Sequence, residues 1–264
     1  MPGNNLKLAE TYAQFSDRRL WYRDTGGKGA PVVFLHAGTG SSLTWELQVP
    51  AFTAVGYRVI AYDRLGHGRS MLEPGAQPGT AADDLEGLAR HLQFDRFHLV
   101  GTAAGGIVAL DYALSFARRL RSLVVANSIG GVEDQDYQAL QGRLRPPQFA
   151  ALPPQLRELG PSYRAANPQG EARWIELERL SNATRLPAQA TRNRLSFPLL
   201  ETIRVPTLLL TGDADPYTPP PVLELFAARI RDSVSRVLHG AGHSAYWEQP
   251  ALFNQAILDF IAKR

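Results

Sequence analysis

The sequence predicts an α/β fold in which a mostly parallel, twisted sheet is covered by helices on both faces. Short apolar runs rich in β-branched residues alternate along the chain with longer segments at helical spacing. The chain has 264 residues, of which 44% are hydrophobic and 20% are charged, so it can bury a large core. We therefore expect one large α/β domain that carries an insertion.

The predicted strands and helices follow one another in the order that such a sheet requires. The first strand alternates in the manner of an edge strand, and the next ones are apolar enough to be buried on both faces. The predicted strands are 19–24, 31–37, 57–63, 97–103, 121–127, 206–213 and 235–239. The predicted helices of the same unit are 82–92, 105–117, 221–230 and 247–262.

The segment 131–199 breaks this alternation. Prolines recur through it, as in the pairs at 146–147 and 153–154, and none of its stretches has the periodicity of a strand. Because proline ends helices and opens turns, we expect several short helices here. The sequence predicts a helical lid at 131–199, inserted after the sixth strand, on an α/β core formed by 1–130 and 200–264.

The composition excludes several classes of function. The net charge of +3 arises from 28 basic and 25 acidic residues, a balance that argues against nucleic acid as a partner. Cysteine is absent, so thiolate nucleophiles and cysteine-ligated metals are excluded. No apolar run reaches the length of a membrane span, and the first residues lack a signal-peptide pattern. We expect a cytoplasmic protein with no membrane partner.

Residues 99–110, LVGTAAGGIVAL, indicate a sharp turn from a strand into a helix. A buried strand runs into Gly101, and only small residues follow it before Ile107 apart from Thr102. Such a turn holds its central residue in a strained conformation at the carboxyl end of the sheet and needs small neighbours. In a nucleophile elbow of the G-x-S-x-G type the central residue is the nucleophile, but here it is Ala103.

Two later segments supply the partners that such a nucleophile would need. Asp213 and Asp215 follow a predicted strand in the stretch TGDADPYTPP, and His243 lies in a glycine-rich loop further on. Asp215 is the better candidate for the acid because it lies deeper in its loop, whereas Asp213 is expected to brace the loop. An aspartate in this place would orient His243 and support its protonated form.

The turn HAGTG at 36–40 follows a buried strand and can direct a backbone N–H group into the same site. We therefore predict an oxyanion hole formed by the N–H groups of Gly38 and Ala104. His36 itself is expected to be structural. The side chains predicted to line the substrate pocket are those of Trp45, Trp174 and Tyr246.

Taken in order, these motifs resemble the α/β-hydrolase superfamily, in its branch of lidded esterases, lactonases and carbon–carbon hydrolases. The resemblance spans nearly the whole chain, and its motifs are the H-x-G turn at His36, the turn DRLGHGRS at 63–70, the elbow at 101–105, Asp215 and Gly242–His243. It implies the α/β-hydrolase fold and catalysis by Asp215 and His243. No metal, nucleotide or flavin is implied, because the sequence shows no ligand cluster and no phosphate-binding glycine loop in the right context.

The departure from the family pattern is Ala103, and three interpretations of it remain open. The alanine replaces the serine of a hydrolase and inactivates it. Alternatively, it is natural, and His243 acts with Asp215 as a general base without a serine nucleophile. In the third interpretation the chain is a degenerate hydrolase that binds a small molecule.

The expected substrate is a small, mostly apolar carbonyl compound such as an ester, a lactone or a β-dicarbonyl. Three arginines near the end of the predicted lid, Arg185, Arg192 and Arg194, either form a solvated surface or hold an anionic substrate. The one macromolecular partner that we consider is a second copy of the chain, in a homodimer.

Overall fold

The computed structural model describes residues 8–181 and 189–264, which form a nine-stranded sheet covered by helices. The strands are β1 (Ala9–Gln14), β2 (Arg18–Asp24), β3 (Pro31–Leu35), β4 (Arg58–Tyr62), β5 (Met71–Leu72), β6 (Phe97–Thr102), β7 (Leu120–Ala126), β8 (Thr207–Gly212) and β9 (Ser233–Leu238). The helices are α1 (Val49–Ala54), α2 (Ala81–His91), α3 (Ala104–Ser115), α4 (Gln135–Leu144), α5 (Pro147–Ala150), α6 (Pro154–Glu158), α7 (Pro161–Ala166), α8 (Pro168–Ser181), α9 (Phe197–Leu200), α10 (Pro220–Ala227), α11 (Ala245–Glu248) and α12 (Pro250–Ile261). Short 3₁₀ turns span Ser42–Trp45 and Ala117–Arg119.

The strand order is β1-β2-β4-β3-β6-β7-β8-β9, with β5 paired to β2. Neighbours from β4 to β9 are parallel, whereas β2 is antiparallel to β1, β4 and β5. The strand predicted at the edge is therefore the second one. Sequence reasoning missed β1, because most of its residues are exposed and its apolar pattern is weak.

Each buried strand presents alternate side chains to opposite faces of the sheet, as its two-residue period requires. In β3, Val33 and Leu35 join one hydrophobic cluster, whereas Val32 and Phe34 join the other. The first cluster includes residues of α2, α3, α9 and α10, and the second includes residues of α1 and α12. Helices thus cover both faces of the sheet, as the sequence predicts.

Helices α4 to α9 lie between β7 and β8. Strand β7 is the seventh in chain order and the sixth when the two-residue β5 is left out. Leu159, Trp174 and Leu177 of this segment are buried in the second cluster, which ties it to the sheet. The assignment of 131–199 as a separate lid stays a prediction, and its residues 182–188 lie outside the described residues.

The start of α3 is packed directly against the end of β3. A Cβ atom placed on Gly105 would lie 2.3 Å from the carbonyl oxygen of Leu35, and one on Gly101 would lie 2.3 Å from the carbonyl oxygen of Gly105. Both neighbours are backbone atoms, which cannot move aside without displacing a strand or the helix. Only glycine therefore permits this close approach.

We predict that Gly105→Ala lowers the free energy of unfolding by about 1–3 kcal/mol, because the added methyl group overpacks this contact. Gly142→Ala in α4 is the matched control, since its Cβ meets no atom within 4 Å. That substitution should leave stability unchanged or raise it by up to about 1 kcal/mol. Urea denaturation followed by circular dichroism measures both values, and equal stabilities of the two variants would contradict the prediction.

Candidate active site

Ala103 lies at the turn between β6 and α3, with φ 50° and ψ −117°. A side chain rarely adopts this conformation, which costs on the order of 1–3 kcal/mol and persists only where the surroundings enforce it. Here the backbone of Ala103 is held on both sides: its N–H donates to the carbonyl of Ala126 at 3.0 Å, and its carbonyl accepts a bond from the Ser128 hydroxyl at 2.7 Å. The geometry of an elbow is therefore complete, although its central side chain is a methyl group.

His243 and Asp215 lie together at the same end of the sheet. The distances from His243 Nδ1 to the two carboxylate oxygens of Asp215 are 2.9 and 3.0 Å. Both side chains are buried, with relative exposures of 5% and 2%. Since Nδ1 must donate to a carboxylate, Nε2 is the nitrogen left to accept a proton.

The carboxylate of Asp215 is held by several donors besides His243. The N–H groups of Tyr217 and Thr218 donate to Oδ1 at 2.8 and 3.2 Å, and the Thr218 hydroxyl donates to Oδ2. Asn127 Nδ2 donates to Oδ2 at 2.9 Å and to the carbonyl of Gly242 at 3.2 Å. Sequence reasoning missed Asn127, which follows β7 directly and has a positive φ of 49°. The one signal in the sequence was a polar residue at the end of an apolar strand.

The partners of Asp215 and His243 set their ionisation. Burial by itself would raise the pKa of Asp215, but the charge of His243 and the hydrogen bonds lower the pKa to about 2. Burial by itself would lower the pKa of His243, but the charges of Asp215 and Glu158 raise it above its ordinary value. Asp215 is therefore ionised at neutral pH and stabilises the imidazolium form of the histidine.

Glu158, the last residue of α6, faces the opposite side of the imidazole. Its Oε2 lies 3.8 Å from His243 Nε2, and its side chain is buried. Burial raises the pKa of this carboxyl group. The Tyr217 hydroxyl lies 3.3 Å from Glu158 Oε1, and the Tyr217 ring stacks on His243 with 4.1 Å between centroids. Sequence reasoning missed both residues, because Glu158 is carried by the inserted segment and nothing in its neighbourhood marks it.

The predicted oxyanion donors, Gly38 and Ala104, come together beside the elbow. A Cβ on Gly38 would lie 3.9 Å from the Ala104 Cβ. Ala104 begins α3, so its N–H has no partner inside the helix. Among the described residues, neither N–H group donates to another backbone carbonyl. Both groups are therefore free to stabilise negative charge on a ligand oxygen.

A cavity of about 180 Å³ lies over Ala103. Its walls are formed by Ala37, Gly38, Thr39, Ala103, Ala104, Ile107, Ile129, Arg145, Glu158, Tyr217 and His243. This set brings together both oxyanion donors, the histidine and the elbow. It contains no serine, and neither Ser41 nor Ser42 reaches it. The described walls therefore offer no activated serine in place of the missing nucleophile.

The three aromatic residues predicted to line the pocket lie elsewhere. Trp45, Trp174 and Tyr246 are buried in the second hydrophobic cluster, and none of them contributes to the cavity over Ala103. The rings of Trp45 and Tyr246 pack on each other at 5.1 Å between centroids. The prediction is wrong for this cavity because a large aromatic side chain gains more from complete burial in the core than from a cavity wall.

The arginines predicted near the end of the lid do not face the cavity either. Arg192 forms an ion pair with Asp83 at 2.6 Å, and Arg194 forms one with Glu133 at 2.7 Å. Both arginine side chains are at least half exposed. These two form a solvated surface, and Arg185 lies outside the described residues.

His36 is structural, as expected. It is completely buried, its Nδ1 donates to the carbonyl of Ala37 at 2.7 Å, and its Nε2 accepts from the N–H of Arg64 at 2.9 Å. In the following turn, Asp63 accepts bonds from the N–H groups of Ser42 and Arg69 at 2.6 and 2.8 Å. These contacts hold the loop that carries Gly38.

Residues 8–181 and 189–264 contain neither a cluster of metal-binding side chains nor a membrane-spanning helix. No group of three or more histidine, aspartate or glutamate side chains is placed to bind a metal ion. No helix in these two stretches is long and apolar enough to cross a membrane.

Residues 32–256 match the sequence profile of the Alpha/beta hydrolase family. The chain belongs to this family. A 2-hydroxy-6-oxononadienedioate/2-hydroxy-6-oxononatrienedioate hydrolase of Paraburkholderia phymatum is 30% identical, over 94% of this chain and 92% of its own length. The fold of this chain is similar to that of a thermophilic esterase from Thermogutta terrifontis, at a TM-score of 0.78 and 26% identity over 97% of this chain and 98% of the other. A hydrolase from Pseudomonas aeruginosa has a TM-score of 0.74 and 26% identity, over 99% of each chain.

We predict that Asp215→Asn lowers the pKa of His243 below its ordinary value, because burial then outweighs the remaining attraction of Glu158. Asp213→Asn is the control, since Asp213 bonds to His239 and to the N–H of Gly240 instead. That control should leave the titration of His243 unchanged. Nitrogen-15 NMR of labelled histidine measures both titrations. A shifted His243 titration in Asp213→Asn but not in Asp215→Asn would show that Asp213, and not Asp215, is the acid that acts on His243.

Proposed function

We propose that the protein hydrolyses a small, mostly apolar carbonyl compound by general-base catalysis, with water as the nucleophile. One observation carries this proposal. The Asp215–His243 pair and the two oxyanion donors are fully assembled around a cavity whose elbow residue is alanine. A histidine oriented in this way can activate a water molecule without forming an acyl-enzyme. The named hydrolases and the esterase to which the chain is similar support hydrolysis as the reaction class.

The steps follow from the position of His243 Nε2. This nitrogen takes a proton from water while the water oxygen attacks the carbonyl carbon. The carbonyl electron pair moves onto the oxygen, which accepts hydrogen bonds from the N–H groups of Gly38 and Ala104. When the intermediate collapses, the bond to the leaving group breaks and the leaving group takes the proton from Nε2. An ester would yield an acid and an alcohol, and a lactone would yield a hydroxy acid.

Glu158 contributes to the first step through charge. Its carboxylate lies 3.8 Å from Nε2, so it attracts the imidazolium that forms when water loses a proton. Asp215 acts in the same way at Nδ1. Two buried carboxylates therefore flank one imidazole, and both favour its protonated form.

The small residue at the elbow also leaves space. Ala103 Cβ is one wall of the cavity, and a serine hydroxyl at this position would extend into the same volume. We assign that volume to the attacking water. The strained elbow still matters without a nucleophile, because it places Ala104, the residue of one proposed oxyanion donor, at the wall of the cavity.

We predict that Ala103→Ser changes kcat/KM for aryl esters and lactones by less than about tenfold, whereas His243→Gln lowers it by about 10²–10⁴-fold. The serine hydroxyl would replace the attacking water, so it adds no new driving force. Ala103→Gly, which removes only the methyl group, is the control for disturbance of the turn and should retain activity.

Two results would overturn this mechanism. A gain of about a thousandfold or more in Ala103→Ser, with labelling by a fluorophosphonate, would identify a serine hydrolase that the alanine has inactivated. If the unaltered protein turned over these substrates no faster than His243→Gln, the protein would be a binding protein and not an enzyme of this mechanism.

We predict that Glu158→Gln shifts the acidic limb of the kcat/KM profile to lower pH. The base must be a neutral imidazole, and Glu158 raises the pKa of His243. Removing that charge lowers the pKa, so the neutral form persists at lower pH. Glu133→Gln, an exposed acid of the inserted segment, serves as the control. An unchanged profile in Glu158→Gln would show that this carboxylate does not act on His243 during catalysis.

A further inference from the structure

A second cavity of about 510 Å³ adjoins the one over Ala103. Its walls are mostly apolar and include Ile129, Gln141, Arg145, Phe149, Arg157 and Tyr217. Ile129, Arg145 and Tyr217 also line the cavity over Ala103, so the two share a boundary. We name the larger one the outer chamber. Its volume lies in the range of about 300–1,000 Å³ that is usual for small-molecule sites.

The outer chamber is apolar apart from a few groups, and its charge is of one sign. No aspartate or glutamate is among its described walls, whereas two arginines are. Arg145 follows α4, and Arg157 belongs to α6. Arg157 Nη1 lies 3.5 Å from the Tyr217 hydroxyl, and the Arg145 guanidinium lies 5.1 Å from the centre of the Tyr217 ring. Two cations therefore flank the same aromatic ring.

Neither guanidinium forms a direct ion pair with a carboxylate, although Arg157 and Glu158 attract each other at longer range. Within the described stretches, no acidic group lies within 4 Å of either one, although Arg192 and Arg194 of the same segment are each paired. Arg145 Nη2 donates to Gln141 Oε1 at 2.7 Å, a neutral partner. The Nε atoms of Arg145 and Arg157 are buried and lack any hydrogen-bond partner. Buried donors of this kind are costly unless a ligand satisfies them.

We propose that Arg145 and Arg157 bind a carboxylate of the substrate in the outer chamber. Guanidinium groups match carboxylates in geometry and charge, and the apolar walls around them accommodate a carbon chain or ring. The substrate is then an organic acid whose carboxylate lies beside these arginines while its reacting carbonyl lies over Ala103. This inference rests on the proposed function for the position of the carbonyl, and it adds the chemical class of the rest of the molecule.

The charges around the proposed site are consistent with one bound anion. Glu158 is the nearest acid on the side of the inner cavity, where its carboxyl group faces His243 and the Tyr217 hydroxyl. His243 faces the inner cavity as well. Arg157 lines the outer chamber alone and Arg145 lies at the boundary of the two cavities, so a monocarboxylate bound between them neutralises part of the positive charge.

Binding can be measured without any reaction by using ketones, which have no ester bond to cleave. The probes are 5-oxohexanoate and 6-methylheptan-2-one, a neutral ketone in which an isopropyl group replaces the carboxylate, titrated into the full chain by isothermal calorimetry. We expect the acid to bind at least tenfold more tightly than the neutral ketone. Arg145→Gln and Arg157→Gln should each weaken binding of the acid by about 10–100-fold and leave binding of the neutral ketone unchanged.

Three variants make the result specific. Arg143→Gln, an exposed arginine on the same helix as Gln141, should not affect binding of either probe. Arg145→Lys keeps the charge and should recover part of the affinity, which guards against a loss caused by misfolding. His243→Gln removes the general base but should still bind 5-oxohexanoate, so failure of the catalytic proposal would be seen separately.

Equal binding of 5-oxohexanoate and 6-methylheptan-2-one by the unaltered protein would overturn the carboxylate site, as would unchanged binding of the acid in both arginine variants. Phenyl phosphate is the competing probe of the same charge sign. Tighter binding of phenyl phosphate than of 5-oxohexanoate or benzoate, lost in Arg145→Gln, would overturn the assignment to a carboxylate.

Discussion

The close contact between the start of α3 and the end of β3 is the constraint on which the site depends. Backbone atoms of Leu35 and Gly105 approach so closely that no side chain fits between them. The chain must therefore turn sharply after β6, which places Ala103 in a strained conformation. The same turn brings Ala104 next to Gly38. A glycine contact beside the sheet thus places the two predicted oxyanion donors together, independently of the side chain at position 103.

The sequence predicted the parts of this molecule that are encoded by local pattern. Apolar strands, small residues at the elbow and the loop positions of Asp215 and His243 all follow from short motifs with a defined geometry. The structure brings His243 and Asp215 into hydrogen-bond contact, and it places Asp213 with His239 instead. Such features are readable because the backbone conformation that each one needs restricts the residue types that can occur.

Contacts that form only through tertiary packing could not be predicted in this way. Glu158 and Tyr217 meet His243 from segments about 85 and 26 residues away in sequence, and no motif links them. Trp45, Trp174 and Tyr246 show the converse error, because a large aromatic residue looks the same in a sequence whether it lines a cavity or fills a core. Strand β1 was missed for a related reason, since its exposed surface dilutes the apolar alternation.

The end of α6, in the inserted segment, is hydrogen-bonded to the loop that carries His243. Glu248 Oε2 accepts bonds from the N–H groups of Gly160 and Gly242 at 3.0 and 2.8 Å, and the N–H of Ser244 donates to the carbonyl of Glu158 at 2.8 Å. These bonds tie both sides of His243 to the end of α6. Any displacement of the end of α6 would therefore move Glu158 and the loop that carries His243 together. The spacing of the imidazole and Glu158 would then be conserved even if the neighbouring helices of the segment moved.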